Sequence, residues 1–99
     1  MPRKLKYSEK AERDIDEILE YTLETWGPEQ AQKYLSGLKE KANKLAGFPS
    51  LGEETKFDVE GMRKLNYQSH EIYYLATNES ITILRVVHSN RDAKKLFNK

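Results

Sequence analysis

SEKAERDIDEILEYTLETWGPEQAQKYLSGLKEKANKLAGFP, residues 8–49, is the stretch that decides the fold. Ser8 is a good N-cap, and Glu9 and Glu12 fall in the first turn, where the helix dipole favours acids. Behind them Ala11, Ile15, Ile18, Leu19, Thr22 and Trp26 recur at helical spacing and make one apolar stripe about four turns long. The opposite face carries Glu12, Asp14, Asp16, Glu17, Glu20 and Glu24 and is acidic. Gly27-Pro28 then interrupts the pattern, and proline suits the first position of a new helix because its missing N–H would be unpaired there. A second stripe follows in Ala31, Tyr34, Leu35, Leu38, Ala42 and Leu45, and Gly47 with Pro49 marks its stop. So short a joint folds the helices back as an antiparallel hairpin, with Trp26 expected as its plug.

Outside this stretch the period is two. Arg3 to Tyr7 alternates as a short half-buried strand would. From Ser50 the composition is that of a loop up to Gly61, and Met62–Tyr67 then alternates with Arg63, Leu65 and Tyr67 on one side. His70–Ala76 reads as a further strand, with Thr77-Asn78-Glu79-Ser80 as its turn into Glu79–His88. Apolar residues of both parities in that last strand (Ile81, Ile83, Leu84, Val86, Val87) predict a central position covered on both faces. Asn90–Lys99 predicts one basic turn around Leu96 and Phe97. The order is β-α-α-β-β-β, an α+β fold in which the hairpin covers a small, mainly antiparallel sheet. Residues 1–99 are expected to form a single domain.

Cysteine is absent, so a thiol nucleophile, a disulfide framework and Cys-ligated metal are excluded. No apolar run is long enough to span a bilayer, and no apolar segment follows the basic start, so a soluble cytoplasmic protein without a signal peptide is expected. Seventeen basic and sixteen acidic residues give +1, weak for a protein that must neutralise many phosphates. The halves differ: residues 1–55 hold nine basic and eleven acidic side chains, and residues 56–99 hold eight and five. The second half is therefore the side expected to meet an anion.

Arg63 and Arg85 stand inside predicted strands, on the parity of apolar neighbours. A guanidinium there either recognises an anion on an open sheet face or closes an internal ion pair, with Glu71 or Asp92 as candidate partners. His70 and His88 are the only histidines, and neither belongs to a metal-ligand motif, so no metal site is expected. His88, at a strand end, suits a general acid or base, or a simple hydrogen-bonded terminus. Tyr73 and Tyr74 place one ring on each sheet face, one for the core and one for a base or a partner peptide. Serine-nucleophile, Walker and dinucleotide motifs are missing, and no cofactor is implied.

Several blocks together resemble the ParE branch of the RelE/ParE superfamily of type II toxins. They are Ala11…Asp14-Ile15…Ile18…Tyr21…Trp26-Gly27…Ala31, then Phe48-Pro49-x-Leu51-Gly52, Gly61-x-Arg63, His70-x-Ile72-x-Tyr74, and Ile81-x-Ile83-Leu84-Arg85-Val86-Val87-His88 followed by Arg91-Asp92. Family members commonly carry the run AxxDLxxIxxYxxxxWGxxxA, and the blocks occur here in family order over nearly the whole length.

The resemblance implies a toxin that inhibits DNA gyrase and blocks replication, neutralised by a cognate ParD-like antitoxin encoded beside it, as in plasmid stabilisation. It implies no chemistry and no sequence-specific nucleic-acid binding by the toxin alone. Antitoxin contacts are expected at Arg63, Tyr73 and Arg85, and target contacts at His88, Arg91, Lys94 and Lys95. RelE-like relatives instead cut mRNA on the ribosome, and in that alternative Arg63, Arg85 and His88 are the catalytic candidates. A non-toxic binding module of the same fold is a further alternative. Against the nuclease, Lys56 stands alone among Glu53, Glu54, Asp58 and Glu60, where RelE-like members place a lysine cluster.

Overall fold

In a computed structural model, residues 3–97 are described. The elements are β1 (Lys4–Tyr7), α1 (Glu9–Trp26), α2 (Pro28–Asn43), β2 (Glu53–Glu54), β3 (Arg63–Tyr67), β4 (His70–Ala76), β5 (Ser80–His88) and α3 (Lys94–Phe97), with a 3-10 turn at Lys44–Ala46 after α2. The fold is the α+β arrangement expected, a helical hairpin on a five-stranded mixed sheet ordered β1-β5-β4-β3-β2. β1 runs parallel to β5, with Leu5 opposite Ile81, and the other pairings are antiparallel. β2 corrects the reading of residues 50–61 as loop: two glutamates pair with Arg63 and Lys64 on β3, a strand too short to show a period. Of the basic turn expected over Asn90–Lys99, α3 is present, and Asn98 and Lys99 lie outside the described residues.

Local chemistry sets each joint. Ser8 Oγ accepts from the Ala11 N–H at 3.0 Å and donates to the Leu84 carbonyl at 2.8 Å, so one hydroxyl caps α1 and ties its start to β5. Gly27 closes α1 and opens α2 with φ +92°, a conformation in which a side chain is strained. Thr77 Oγ1 accepts from the N–H groups of Glu79 and Ser80, which fixes the β4–β5 turn without an Asn-Gly pair.

The hairpin buries Ala11, Ile15, Ile18, Leu38 and Ala42 against Leu65, Ile72, Tyr74, Ile81, Ile83 and Val86. The opposite sheet face carries Met62, Tyr73, Val87 and Ala93, packed with Phe57, Val59, Leu75, Leu84, Leu96 and Phe97. β5 is thus covered on both faces, as its double parity implied. Two expectations for α1 are corrected. Trp26 is 69% exposed rather than a plug, because it lies a full turn beyond Thr22, the last buried residue of the helix. Asp14, read with the acidic face, is buried at 7% exposure. It lies three residues after Ala11 and four before Ile18, inside the buried stripe.

α2 meets β3 where Tyr67 lies over Gly37. A Cβ at Gly37 would overlap the Tyr67 hydroxyl and approach its ring carbon Cζ to 2.9 Å. Alanine in place of glycine ordinarily favours a helix by about 1 kcal/mol. Here Gly37→Ala is expected to destabilise by about 1–3 kcal/mol through overpacking, read as a lower urea midpoint, and Gly37→Ala/Tyr67→Phe should recover part of the loss.

Candidate functional site

Arg85 is the best-held of the candidate residues. Its Nε donates to Asp14 Oδ2 at 2.8 Å and its Nη2 to Oδ1 at 3.0 Å, a bidentate pair between β5 and α1. Asp14 Oδ2 also accepts from the Val86 N–H at 2.9 Å, so the carboxylate holds backbone and side chain together. The carboxylate holds the guanidinium's pKa above its ordinary value. The internal ion pair weighed from the sequence is present, and its partner is Asp14 rather than Glu71 or Asp92, because residues 71 apart in sequence meet where α1 crosses β5.

Arg63 Nη1 donates to the Gly52 carbonyl at 2.6 Å, and Nη2 reaches Glu54 Oε1 at 3.5 Å. The same loop is anchored by Tyr74, whose hydroxyl donates to the Pro49 carbonyl at 2.6 Å and accepts from the Gly52 N–H at 2.9 Å. Arg63 thereby fastens β2 and its loop to β3, leaving its guanidinium half-buried. Tyr73 is 1% exposed, its ring 4.8 Å from that of Phe97 and 6.2 Å from that of Phe57, and its hydroxyl donates to Glu71 Oε1 at 3.0 Å. Glu71 in turn accepts from Lys64 at 3.1 Å. Burial and the neighbouring carboxylate push the Tyr73 phenol well above its ordinary range, so it stays a neutral donor.

His88 is exposed at the end of β5, directly opposite His70 on β4, with ring centroids 5.3 Å apart. Its Nδ1 accepts from the Asn90 N–H at 3.2 Å, which puts the proton of the neutral ring on Nε2. His70 Nδ1 lies 2.6 Å from the Tyr34 hydroxyl, and Tyr34 stacks edge-on against Tyr67 at 5.2 Å. Sequence reading singled out the histidines but not Tyr34, whose i+3 place in an apolar stripe hides its hydroxyl. Among the described residues no three His, Cys, Asp or Glu side chains converge on a point.

Burial first, then the charge of His88, lowers the pKa of His70 from its ordinary value of 6.5. The folded state therefore takes up protons less readily than the unfolded chain, and stability rises with pH. The contribution is complete above about pH 6.5 and is lost as pH falls through that value toward the depressed folded pKa. The urea midpoint is expected to fall between pH 7 and pH 5, and His70→Gln should flatten that slope.

Arg63, Arg85 and His88 are not brought together. His88 faces His70, Arg85 faces Tyr73, and Arg63 faces Tyr74 from the far side of β4. Strand geometry separates Arg63 from β5 by about 10 Å and Arg85 from His88 by about 10 Å. Arg63 and Arg85 are each turned to an internal acceptor, the Gly52 carbonyl and the Asp14 carboxylate. Arg91, Lys94 and Lys95 are exposed and follow the end of β5 in the chain. Arg91, His88 and His70 line one cleft with Asp14, Glu17, Ile18, Tyr21, Val86 and Val87. The arrangement offers apolar ground edged by Arg91, the two histidines and the carboxylates of Asp14 and Glu17, a surface suited to binding.

Comparison with known proteins places these features in a family. The sequence profile described as "ParE toxin of type II toxin-antitoxin system, parDE" matches residues 5–93. Toxin ParE1 of Mycobacterium tuberculosis is 33% identical over 86 residues, covering 86% of this chain and 88% of that protein. Toxin ParE1 of Caulobacter vibrioides is 30% identical over 87 residues, covering 88% and 90%. Among solved structures, the chromosomal ParDE toxin–antitoxin system from P. aeruginosa superposes with a TM-score of 0.75 at 26% identity, covering 87% of this chain and 95% of that one.

Proposed function

Because the chain belongs to the ParE toxin family of type II toxin–antitoxin systems, we propose that it inhibits DNA gyrase, blocks replication, and is neutralised by a ParD-like antitoxin. Residues 1–99 act as one domain in the cytoplasm, where gyrase works, and an encoded pair of this kind stabilises the plasmid or chromosome that carries it. The observation that carries the reading is the separation of Arg63, Arg85 and His88, each on its own row of the sheet, two of them held by internal acceptors. Such a surface supports binding rather than bond cleavage.

His88, Arg91, Lys94 and Lys95 form the target-binding rim, where the exposed arginine and lysines steer an anionic protein–DNA complex into place. On the antitoxin side, Arg63 presents the half-buried guanidinium that an acidic segment can reach, whereas Arg85 and Tyr73 act from behind the surface by fixing α1 and the second core. The antitoxin supplies an amphipathic helix and an extended segment, the usual modes for groove and sheet-edge recognition.

The test is a supercoiling reaction with gyrase, ATP and relaxed plasmid. Loss of supercoiling with accumulation of cleaved plasmid, reversed by the cognate antitoxin, is expected. Unimpeded supercoiling at high protein excess would sink the gyrase reading. Messenger RNA cleavage on ribosomes under the same conditions would transfer the function to the nuclease alternative.

A further inference from the structure

α1 carries seven acidic side chains and two basic ones, a net charge of −5, and no basic residue stands in its last turn. Glu20 and Glu24 therefore lie toward the negative end of the helix dipole, an arrangement that is electrostatically unfavourable. Among the described residues, neither they nor Glu12 and Asp16 close an ion pair, and all four are exposed. Alongside them Leu19, Leu23 and Trp26 recur at i, i+4 and i+7, one ridge about 10 Å long. Leu23 is 47% exposed and Trp26 69% exposed, the latter being the chain's single tryptophan.

We propose that this outer face of the hairpin is a docking surface for a cationic amphipathic helix of a partner protein. The charge selects the partner: Lys or Arg beside Glu20 and Glu24 relieves repulsion that the free protein carries, while apolar side chains cover Leu23 and Trp26. A nucleic acid or an anionic lipid surface is repelled by the same carboxylates. The backbone selects the helix: the N–H and C=O groups of α1 are bonded within the helix, so no edge is offered for strand addition, and a ridge of side chains packs best against the grooves of another helix. Leu19, Leu23 and Trp26 do not line the cleft at the end of β5, and the proposal stands whether or not gyrase is the target.

Trp26 reports the event directly. The full chain would be titrated with a 14-residue leucine–lysine helical peptide, with a scrambled-order control, and with a leucine–glutamate peptide of the same pattern. A saturable blue shift of Trp26 emission with the cationic helix alone is expected, its affinity weakened at least tenfold between low and high salt. Glu20→Lys/Glu24→Lys, two exposed positions that leave the fold intact by circular dichroism, should weaken it by a similar factor. No shift, equal shifts with the scrambled or acidic peptide, or an unchanged affinity in the lysine variant would overturn the proposal. So would a shift on concentrating the chain alone, which would make a second copy the occupant, or one produced by single-stranded DNA.

Discussion

Replacing Asp14 with alanine is expected to destabilise the fold by about 3–5 kcal/mol, the largest effect of any single polar substitution in the molecule. The side chains of Asp14 and Arg85 are 8% and 17% exposed, so the alanine variant leaves a guanidinium half-withdrawn from water with no acceptor. It also leaves the Val86 N–H without its partner in the middle of β5. Asp14→Asn should cost less, because the amide oxygen still accepts from Val86 while the charge is lost. Chemical unfolding of both variants beside Arg13→Ala gives the scale. Arg13 pairs with Glu9 on a surface where the side chains are 74% and 84% exposed, and its removal should change stability by no more than about 0.5 kcal/mol. An Asp14→Ala variant as stable as Arg13→Ala would show that the clamp is not structural.

The clamp bears on how an Arg85 variant is interpreted. Charge reversal at Arg85 places a carboxylate against Asp14, so weakened antitoxin binding by such a variant measures the disturbed α1–β5 contact as well as any direct contact. Asp14→Asn separates the two, since it disturbs the clamp and leaves the arginine charge. Equal losses of antitoxin affinity in Asp14→Asn and Arg85→Gln would place the role of Arg85 in positioning.

The elements were legible in the sequence because each joint carries its own local chemistry. Ser8 caps, Gly27-Pro28 turns and Thr77 closes a hairpin with contacts reaching no farther than four residues. What the sequence hid depends on distant partners. Asp14 is one acid among many on α1 until β5 brings Arg85 and the Val86 N–H to it. The pairing of Glu53 and Glu54 with β3 follows from the Arg63 and Tyr74 anchors on the loop before them, which no residue pattern announces. The histidine pair was visible as two residue types, but its geometry comes from the register of β4 on β5. Trp26 failed in the other direction: the stripe runs past the end of the surface that could bury it.

The tail is where stability and function have to be separated. Phe97 stacks on Phe57 at 5.9 Å and lies 4.8 Å from Tyr73, so α3 closes the second core over the sheet. Deleting residues 91–99 removes Ala93, Leu96 and Phe97 along with the charges and uncovers Tyr73, Val87 and Met62. A non-toxic truncation would therefore say little about target binding, because the second core is disturbed along with the charges. Two substitutions divide the question. Phe97→Ala, at a partly buried ring, should cost about 2 kcal/mol of stability while keeping every tail charge. The exposed set Arg91→Gln/Lys94→Gln/Lys95→Gln should shift stability by no more than about 0.5 kcal/mol. The triple variant is expected to need at least tenfold more protein to halt gyrase supercoiling, with the loss mimicked in the parent chain by raised salt. Full potency in the triple variant would place the target contact elsewhere on the molecule, and potency lost in Phe97→Ala alone would make the tail a support for the sheet rather than the surface that docks.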